Sequence, residues 1–289
     1  TSWTRIIGGD GMECQVDYTN ANIQYGALYY GDLYRTTTGG TPSNISDPTE
    51  DGAWVTPYVL HPTTNTTMYY ATASKVYRST NITNTNPTWT AISGTLGSAS
   101  DPLTVLAVAP SNGTTILTAN AAGAWKGTAS GSTWTFTSLS TSGLPAGVTS
   151  FAFHPTDANT AWATIGGFTA GSKVYKTTNG GTSWTNISGS LVNVPANCVA
   201  VHPSTPTDVY IGTDLGIFYS ADGGTTWEAY DTGLPNVIVT DLDIHVSAGK
   251  IRAATFGRGL WESPLNTTTP SNSVTVTAPN GGESLTGGN

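Results

Sequence analysis

One motif of roughly 45 residues recurs along the chain, and this repeat constrains the fold more than any other feature. CQVDYTNANIQYGALYYGDLYRTTTGG (14–40) aligns with CVAVHPSTPTDVYIGTDLGIFYSADGG (198–224), pairing Cys14 with Cys198. VLHPTTNTTMYYATASKVYRST (59–80) and FAFHPTDANTAWATIGGFTAGSKVYKTTNGG (151–181) fit the same frame. A degenerate copy occupies 105–131 and a shortened one 242–263. The anchor positions Asp17, His61, Ala109, His154, His202 and His245 are separated by 44, 48, 45, 48 and 43 residues. Each unit alternates apolar and small residues over four short stretches, which reads as strands a to d of a β-propeller blade. The expectation is an all-β, single propeller of six blades, or seven or eight if the chain is a fragment.

Composition agrees. Thr contributes 52 residues and Gly 34, which favours strands and turns over helices. Charged residues make up only 10% and the net charge is −8, so a nucleic-acid partner is excluded on electrostatic grounds. No apolar run is long enough to span a membrane. Low charge with abundant Thr, Ser, Asn and aromatics points to a secreted or cell-surface protein. Cys14 and Cys198 fit either one long-range bridge or two unpaired thiols.

The last unit has no strand d of its own. The opening TSWTRIIGG resembles the other d strands, PTWTAISG (87–94), STWTFTSL (132–139) and TSWTNISG (182–189). Residues 2–7 are therefore expected to close the ring by pairing with strand c around Trp261. Residues 1–265 form the propeller in this reading. Residues 266–289 comprise a Thr/Pro/Ser linker and VTVTAPNGGES (274–284), the start of a further module.

Between strands c and d, SADGGTTW (220–227) matches the pattern S-x-D-x-G-x-T-W at every position, and TTNGGTSW (177–184) nearly so. With GGDG (8–11), GAWVTPYVLHP (52–62) and TFGRGLWE (255–262), these residues make the chain resemble the Asp-box, or bacterial neuraminidase repeat, propellers. Among these it is most similar to secreted bacterial proteins related to xyloglucanases and to the sortilin ectodomain. Residues 274–284 similarly resemble the opening of an Ig-like module. In that family the box is structural. It falls here on Ser220, Asp222, Gly224 and Trp227, and again on Asn179, Gly181 and Trp184. Its Asp accepts backbone hydrogen bonds in the c–d turn, and its Trp is expected to bury beneath the hairpin. The four His residues occupy one repeat position and read as a turn motif, not a catalytic set.

The resemblance places family sites on the opposite rim, built from d–a and b–c loops. The acids Asp10, Glu13, Asp32, Glu50, Asp51, Asp101, Asp214 and Asp241 map there, with Trp54, Tyr30, Phe168 and Phe256, and Arg258 as the strong cation. Aromatic faces stack on sugar rings while carboxylates bind hydroxyls. Glycan-binding candidates are therefore Trp54, Glu50, Asp51, Asp32, Asp214, Arg258 and Phe168. Paired carboxylates also serve glycoside hydrolysis, for which Asp10 and Asp101 are the candidates. Xyloglucanase-like relatives build that site between two propellers, and this chain supplies one. The three Arg residues of a sialidase are not evident. No cofactor is expected, although acidic loops could hold Ca²⁺ through carboxylates and carbonyls; the D-x-D-x-D spacing of a Ca²⁺ loop is absent. Three functions stay open: a non-catalytic propeller binding glycan or extracellular protein, a β-glucan hydrolase or part of one, and a structural module of an extracellular assembly.

Overall fold

The structure, a computed structural model, describes residues 7–37, 40–46, 50–230 and 233–266. Six antiparallel sheets follow one another along the chain. Blade 1 comprises β1 (Cys14–Val16), β2 (Ile23–Ala27), β3 (Leu33–Thr37) and β4 (Ser43–Asn44). Blade 2 comprises β5 (Tyr58–Leu60), β6 (Met68–Ala71), β7 (Val76–Ser79) and β8 (Thr90–Ala91). Blade 3 holds β9 (Val105–Val108), β10 (Thr115–Ala119), β11 (Ala124–Ser130) and β12 (Thr133–Ser138). Blade 4 holds β13 (Val148–His154), β14 (Asp157–Ile165), β15 (Val174–Thr177) and β16 (Thr185–Asn186). Blade 5 holds β17 (Ala196–Val201), β18 (Val209–Thr213), β19 (Gly216–Ser220) and β20 (Glu228–Ala229). Blade 6 has three strands among the described residues, β21 (Val239–His245), β22 (Lys250–Thr255) and β23 (Gly259–Pro264). The first strand of each blade lies innermost, and the fold is a six-bladed β-propeller. The expected clasp by residues 2–7 falls on residues 2–6 and so lies outside the described residues.

Residues directly opposite in a ladder share a face, and faces alternate along each strand. In blade 2, Tyr58 and Tyr70 face blade 1 with Leu60 and Met68, while Tyr69 and Ala71 face blade 3. In blade 4, Phe151 and Phe153 face blade 3, and Trp162 faces blade 5. Burying both rows produces a separate hydrophobic cluster at each junction from blade 1 to blade 6, five in all among the described residues. This geometry corrects the repeat alignment by one residue. Cys198 pairs Gly212 and faces blade 6, whereas Gln15 and Tyr25 are the blade 1 pair that faces onward to blade 2. Cys14 therefore sits on the opposite row from Cys198. Both thiols are free, Cys14 exposed and Cys198 buried, which removes the bridge from the two arrangements considered.

The a–b turns show why His or Asp stands at each anchor. The imidazole Nδ1 of His202 accepts the N–H groups of Ser204 (3.1 Å) and Thr205 (2.9 Å). His61 and His154 do the same with Thr63 and Thr156. Asp17 substitutes a carboxylate and takes Thr19 N (2.7 Å) and Asn20 N (3.2 Å). Where the anchor is Ala109, Asn112 accepts from Thr114 N and Thr115 N instead. An acceptor is required at this turn, and the residue type that supplies it is interchangeable.

In the 220–227 turn, Asp222 Oδ1 accepts from Ser220 Oγ (2.7 Å), Thr225 N (2.8 Å) and Thr226 N (2.9 Å). These bonds outweigh desolvation and hold the Asp222 carboxyl down at about 2. Trp227 is less buried than expected. Its indole is half-buried, lies against Gly224 of its own hairpin, where a Cβ would come 3.2 Å from the ring, and also donates to Ile187 O of blade 4 (2.8 Å). Trp89 likewise donates to Ile45 O of blade 1 (2.8 Å). The tryptophan ties successive blades because the ring wedges neighbouring sheets closely enough for one to reach the other. Asp222→Ala is expected to cost about 1–2 kcal/mol, since two turn N–H groups lose their acceptor in a solvent-exposed setting. A urea titration checks this, and an unchanged midpoint would show that water replaces the carboxylate without loss.

Candidate aromatic platform and acid pair

On the rim formed by d–a and b–c loops, blade 1 and the loop that follows it build an aromatic platform. After β2 the chain makes a single 3₁₀ turn at Tyr29–Gly31. Tyr30 adopts φ +59°, the left-handed region, and is the only non-glycine residue to do so among the described residues. Gly31 follows at φ +88°, where a Cβ would lie 2.0 Å from the Tyr70 hydroxyl, so this position requires glycine. The turn is held by the next loop: Tyr30 N donates to Trp54 O (3.3 Å) and Gly52 N to Tyr30 O (2.8 Å).

These bonds bring three rings together. Tyr29 and Trp54 stack with centroids 5.5 Å apart and planes at 13°. Tyr30 stands edge-on to both, 5.3 Å from Trp54 and 5.7 Å from Tyr29. All three stay open to solvent, at 43%, 50% and 52% relative exposure for Tyr29, Tyr30 and Trp54. Rings that served only packing would be driven inside. Trp54 and Tyr30 are legible as rim residues in the sequence. Tyr29 is not, because only the left-handed turn at Tyr30 aims it at Trp54.

The acidic candidates divide. Asp32 and Asp51, in the same two loops as the rings, are exposed, while Glu50 accepts the Thr72 hydroxyl (2.6 Å). Asp101 accepts Ala121 N (3.0 Å) and braces the b–c loop of blade 3. Asp214 accepts Asn197 Nδ2 (3.0 Å). Asp10 and Arg258 are exposed in their loops, and Phe168 projects at 69% exposure from a loop braced by the Lys173 ammonium on Gly167 O (2.8 Å). Asp10, Asp101, Asp214, Arg258 and Phe168 belong to other loops of the same rim.

A second feature lies where the inner strands of blades 6 and 1 meet. Glu13, entering β1, is partly buried, and desolvation followed by the Asp241 carboxylate pushes its pKa up to about 7. Asp241 itself is raised, first by burial and then by Asp243. The Cys14 thiol is raised by burial and by both acids. A cavity of about 370 Å³ adjoins Glu13, lined among others by Ile7, Met12, Cys14, Val16 and Gly26. Among the described residues no group of three or more His, Cys, Asp or Glu side chains is arranged to hold a metal ion. No helix among them is long and apolar enough to cross a membrane.

No protein-family model and no curated protein sequence matches the chain. Solved structures do resemble it. A GH74 enzyme from Niastella koreensis aligns with a TM-score of 0.66 and 19% identity, over 89% of this chain and 46% of that one. The extracellular domain of a B. thetaiotaomicron protein described as a hybrid two-component system gives 0.63 and 18%, over 90% and 32%. YCF48 bound to D1 peptide gives 0.59 and 18%, over 84% and 76%. The chain thus spans less than half the length of the GH74 enzyme it resembles. At such identities the likeness is one of fold: this chain shares the β-propeller architecture of these proteins.

Proposed function

We propose that the chain is a secreted or cell-surface propeller that binds glycan through the Tyr29–Tyr30–Trp54 platform, without chemistry of its own. The observation that carries this reading is the left-handed Tyr30. A tyrosine held in a conformation that costs on the order of 1 kcal/mol, only to keep three rings half in water, implies a use for the exposed surface. The outer faces of the stacked Tyr29–Trp54 pair suit the C–H face of a pyranose, and Asp32 and Asp51 stand ready to accept hydroxyl hydrogen bonds. A glycan array followed by calorimetry on wild type and Trp54→Ala tests it. The variant should bind about 5–30-fold more weakly, equivalent to about 1–2 kcal/mol. Its melting temperature should stay close to wild type, because the indole is half exposed. A wild type that binds no glycan overturns the reading and transfers the platform to an extracellular protein partner.

The hydrolase reading stands second, supported by the GH74 neighbours and by Glu13, whose tuned acidity suits a general acid. Asp101 supports it less, since its carboxylate already braces a loop. Release of reducing sugar from a β-glucan, abolished by Asp10→Asn, Asp101→Asn or Glu13→Gln, would put hydrolysis first.

A further inference from the structure

Blade 3 departs from the other blades at its outer strand. The outer strands β4, β8, β16 and β20 are two residues long, whereas β12 runs for six, Thr133–Ser138. The preceding turn explains the length. Residues 178–184 separate β15 from β16 and 221–227 separate β19 from β20, but only Gly131 and Ser132 separate β11 from β12. With Gly131 at φ +63°, this tight turn matches the strand twist, and β12 stays in register with β11 over six residue pairs. The longer turns of blades 4 and 5 leave two pairs each. Propellers keep their outer edges short, so this long one stands apart.

The edge presents a row of backbone groups. The Leu139 N–H donates inward to Ala124 O (2.9 Å), while the Ala129 N–H turns the other way, to Thr114 O (3.0 Å). Ladder bonds alternate along a strand, so Thr133, Thr135 and Thr137 bond β11. Trp134, Phe136 and Ser138 therefore point their N–H and C=O groups outward, away from the sheet. Their strand carries no proline, charge or bulge, the usual devices against edge pairing. The Trp134 and Phe136 rings lean toward blade 2, half-buried, with centroids 6.2 Å apart, and the three threonines are exposed.

Charge selects the partner. At a net charge of −8, two copies of the chain repel over most approaches. No Lys, Arg, Asp or Glu occurs in 79–100, 127–156 or 177–207, the stretches that hold the outer strands of blades 2, 3 and 4. Blade 5 by contrast sets Glu228 on its outer strand. Strand β12 is also its own complement. With a two-fold axis at Phe136, Trp134 of one copy pairs with Ser138 of the other. Each outward N–H then meets a C=O, and the two Phe136 rings share a face.

We propose that β12 is a self-association edge, through which two copies of this chain join their third blades into one continuous antiparallel sheet. The contact is isologous, so each edge is covered by the other and growth stops at the dimer. Blade 1, which carries the aromatic platform, takes no part in it, and the proposal does not depend on what the rim binds.

Sedimentation velocity of the full chain over a concentration series tests it, and wild type should dimerise. Ser138→Pro removes one outward N–H per copy, giving up only an exposed bond from Ser140 N (3.2 Å) and leaving the β11 ladder intact. It should weaken the dimer about tenfold or more, with an unchanged circular dichroism spectrum. Thr135→Lys keeps every backbone donor and sets like charges diagonally across the contact, so it should weaken the dimer too, and added salt should restore it. If Ser138→Pro fails to fold, Thr135→Lys alone decides. Cross-linking reads the register, because Thr135 of one copy faces Thr137 of the other. In a Cys14→Ser background, an equimolar mixture of Thr135→Cys and Thr137→Cys chains should give a disulfide-linked dimer that neither chain gives alone. A wild type that stays monomeric throughout overturns the proposal, as does a dimer that survives both Ser138→Pro and Thr135→Lys. A dimer that responds to both yet does not cross-link in the mixture gives the edge to another segment of the second copy, and overturns the self-pairing.

Discussion

Replacing Trp162 by alanine should lower the unfolding free energy by about 3–5 kcal/mol, the usual cost of emptying a buried aromatic site. Trp162 is 1% exposed and packs between blades 4 and 5 against Val199, Val209 and Ile211. Its Nε1 donates to Gly223 O (3.0 Å) in the c–d turn of blade 5, and the Lys176 ammonium lies 4.7 Å above its ring. His154 stacks on the far side at 13°. The indole thus joins the a–b turn of its own blade to the turn of the next. Trp162→Phe separates packing from hydrogen bonding. It should recover most of the loss and leave a deficit of about 1–2 kcal/mol, partly met because Lys176 Nζ also donates to Gly223 O (3.2 Å). Denaturant titrations followed by circular dichroism read both values. If Trp162→Ala melts like wild type, the blade 4–blade 5 junction does not carry the stability that its burial implies.

The sequence makes the six units legible, because the repeat lies in turn chemistry and strand alternation, which are local. Strand β19 falls at Gly216–Ser220, the span its GIFYS pattern predicts. What depends on the neighbouring blade is not local, and there the reading slips. Matching Cys14 to Cys198 follows residue identity, but the pleat decides which row each occupies, and a one-residue shift exchanges the rows. Trp227 is read as belonging to its own hairpin, although its acceptor, Ile187 O, lies 40 residues earlier in another sheet. On the rim, Trp54 stands out because no other unit has a tryptophan there. Tyr29 escapes notice because its role rests on a positive φ at Tyr30, which no side-chain pattern announces. Glu13 and Asp241 read as two of eight rim acids. Only the fold distinguishes them, by bringing Glu13 near Asp241, 228 residues later in sequence, and partly burying the Glu13 carboxyl.

That burial makes Glu13→Gln an expected stabilising change, and one that depends on pH. An acid whose folded pKa is raised holds its proton in the native state after the unfolded chain has released it. Between about 4.5 and about 7 the native state therefore binds more protons, and stability falls as pH rises through this window. Below pH 4.5 the side chain is protonated in both states and contributes no difference. Above pH 7 the full cost of a buried carboxylate facing Asp241 is present. A shift from 4.5 to about 7 corresponds to roughly 3 kcal/mol, and partial solvent access reduces this to about 2–3 kcal/mol. Glutamine keeps the shape and cannot ionise. Near pH 4.5 variant and wild type should unfold at nearly the same denaturant concentration. By pH 8 the variant should be more stable by about 2–3 kcal/mol, with the gap opening between pH 5 and 7. Asp241 is raised in the same direction, so Asp241→Asn should narrow the wild-type loss also, by relieving Glu13 of its partner charge. Parallel stability curves for wild type and Glu13→Gln from pH 5 to 8 would place the Glu13 carboxyl in water.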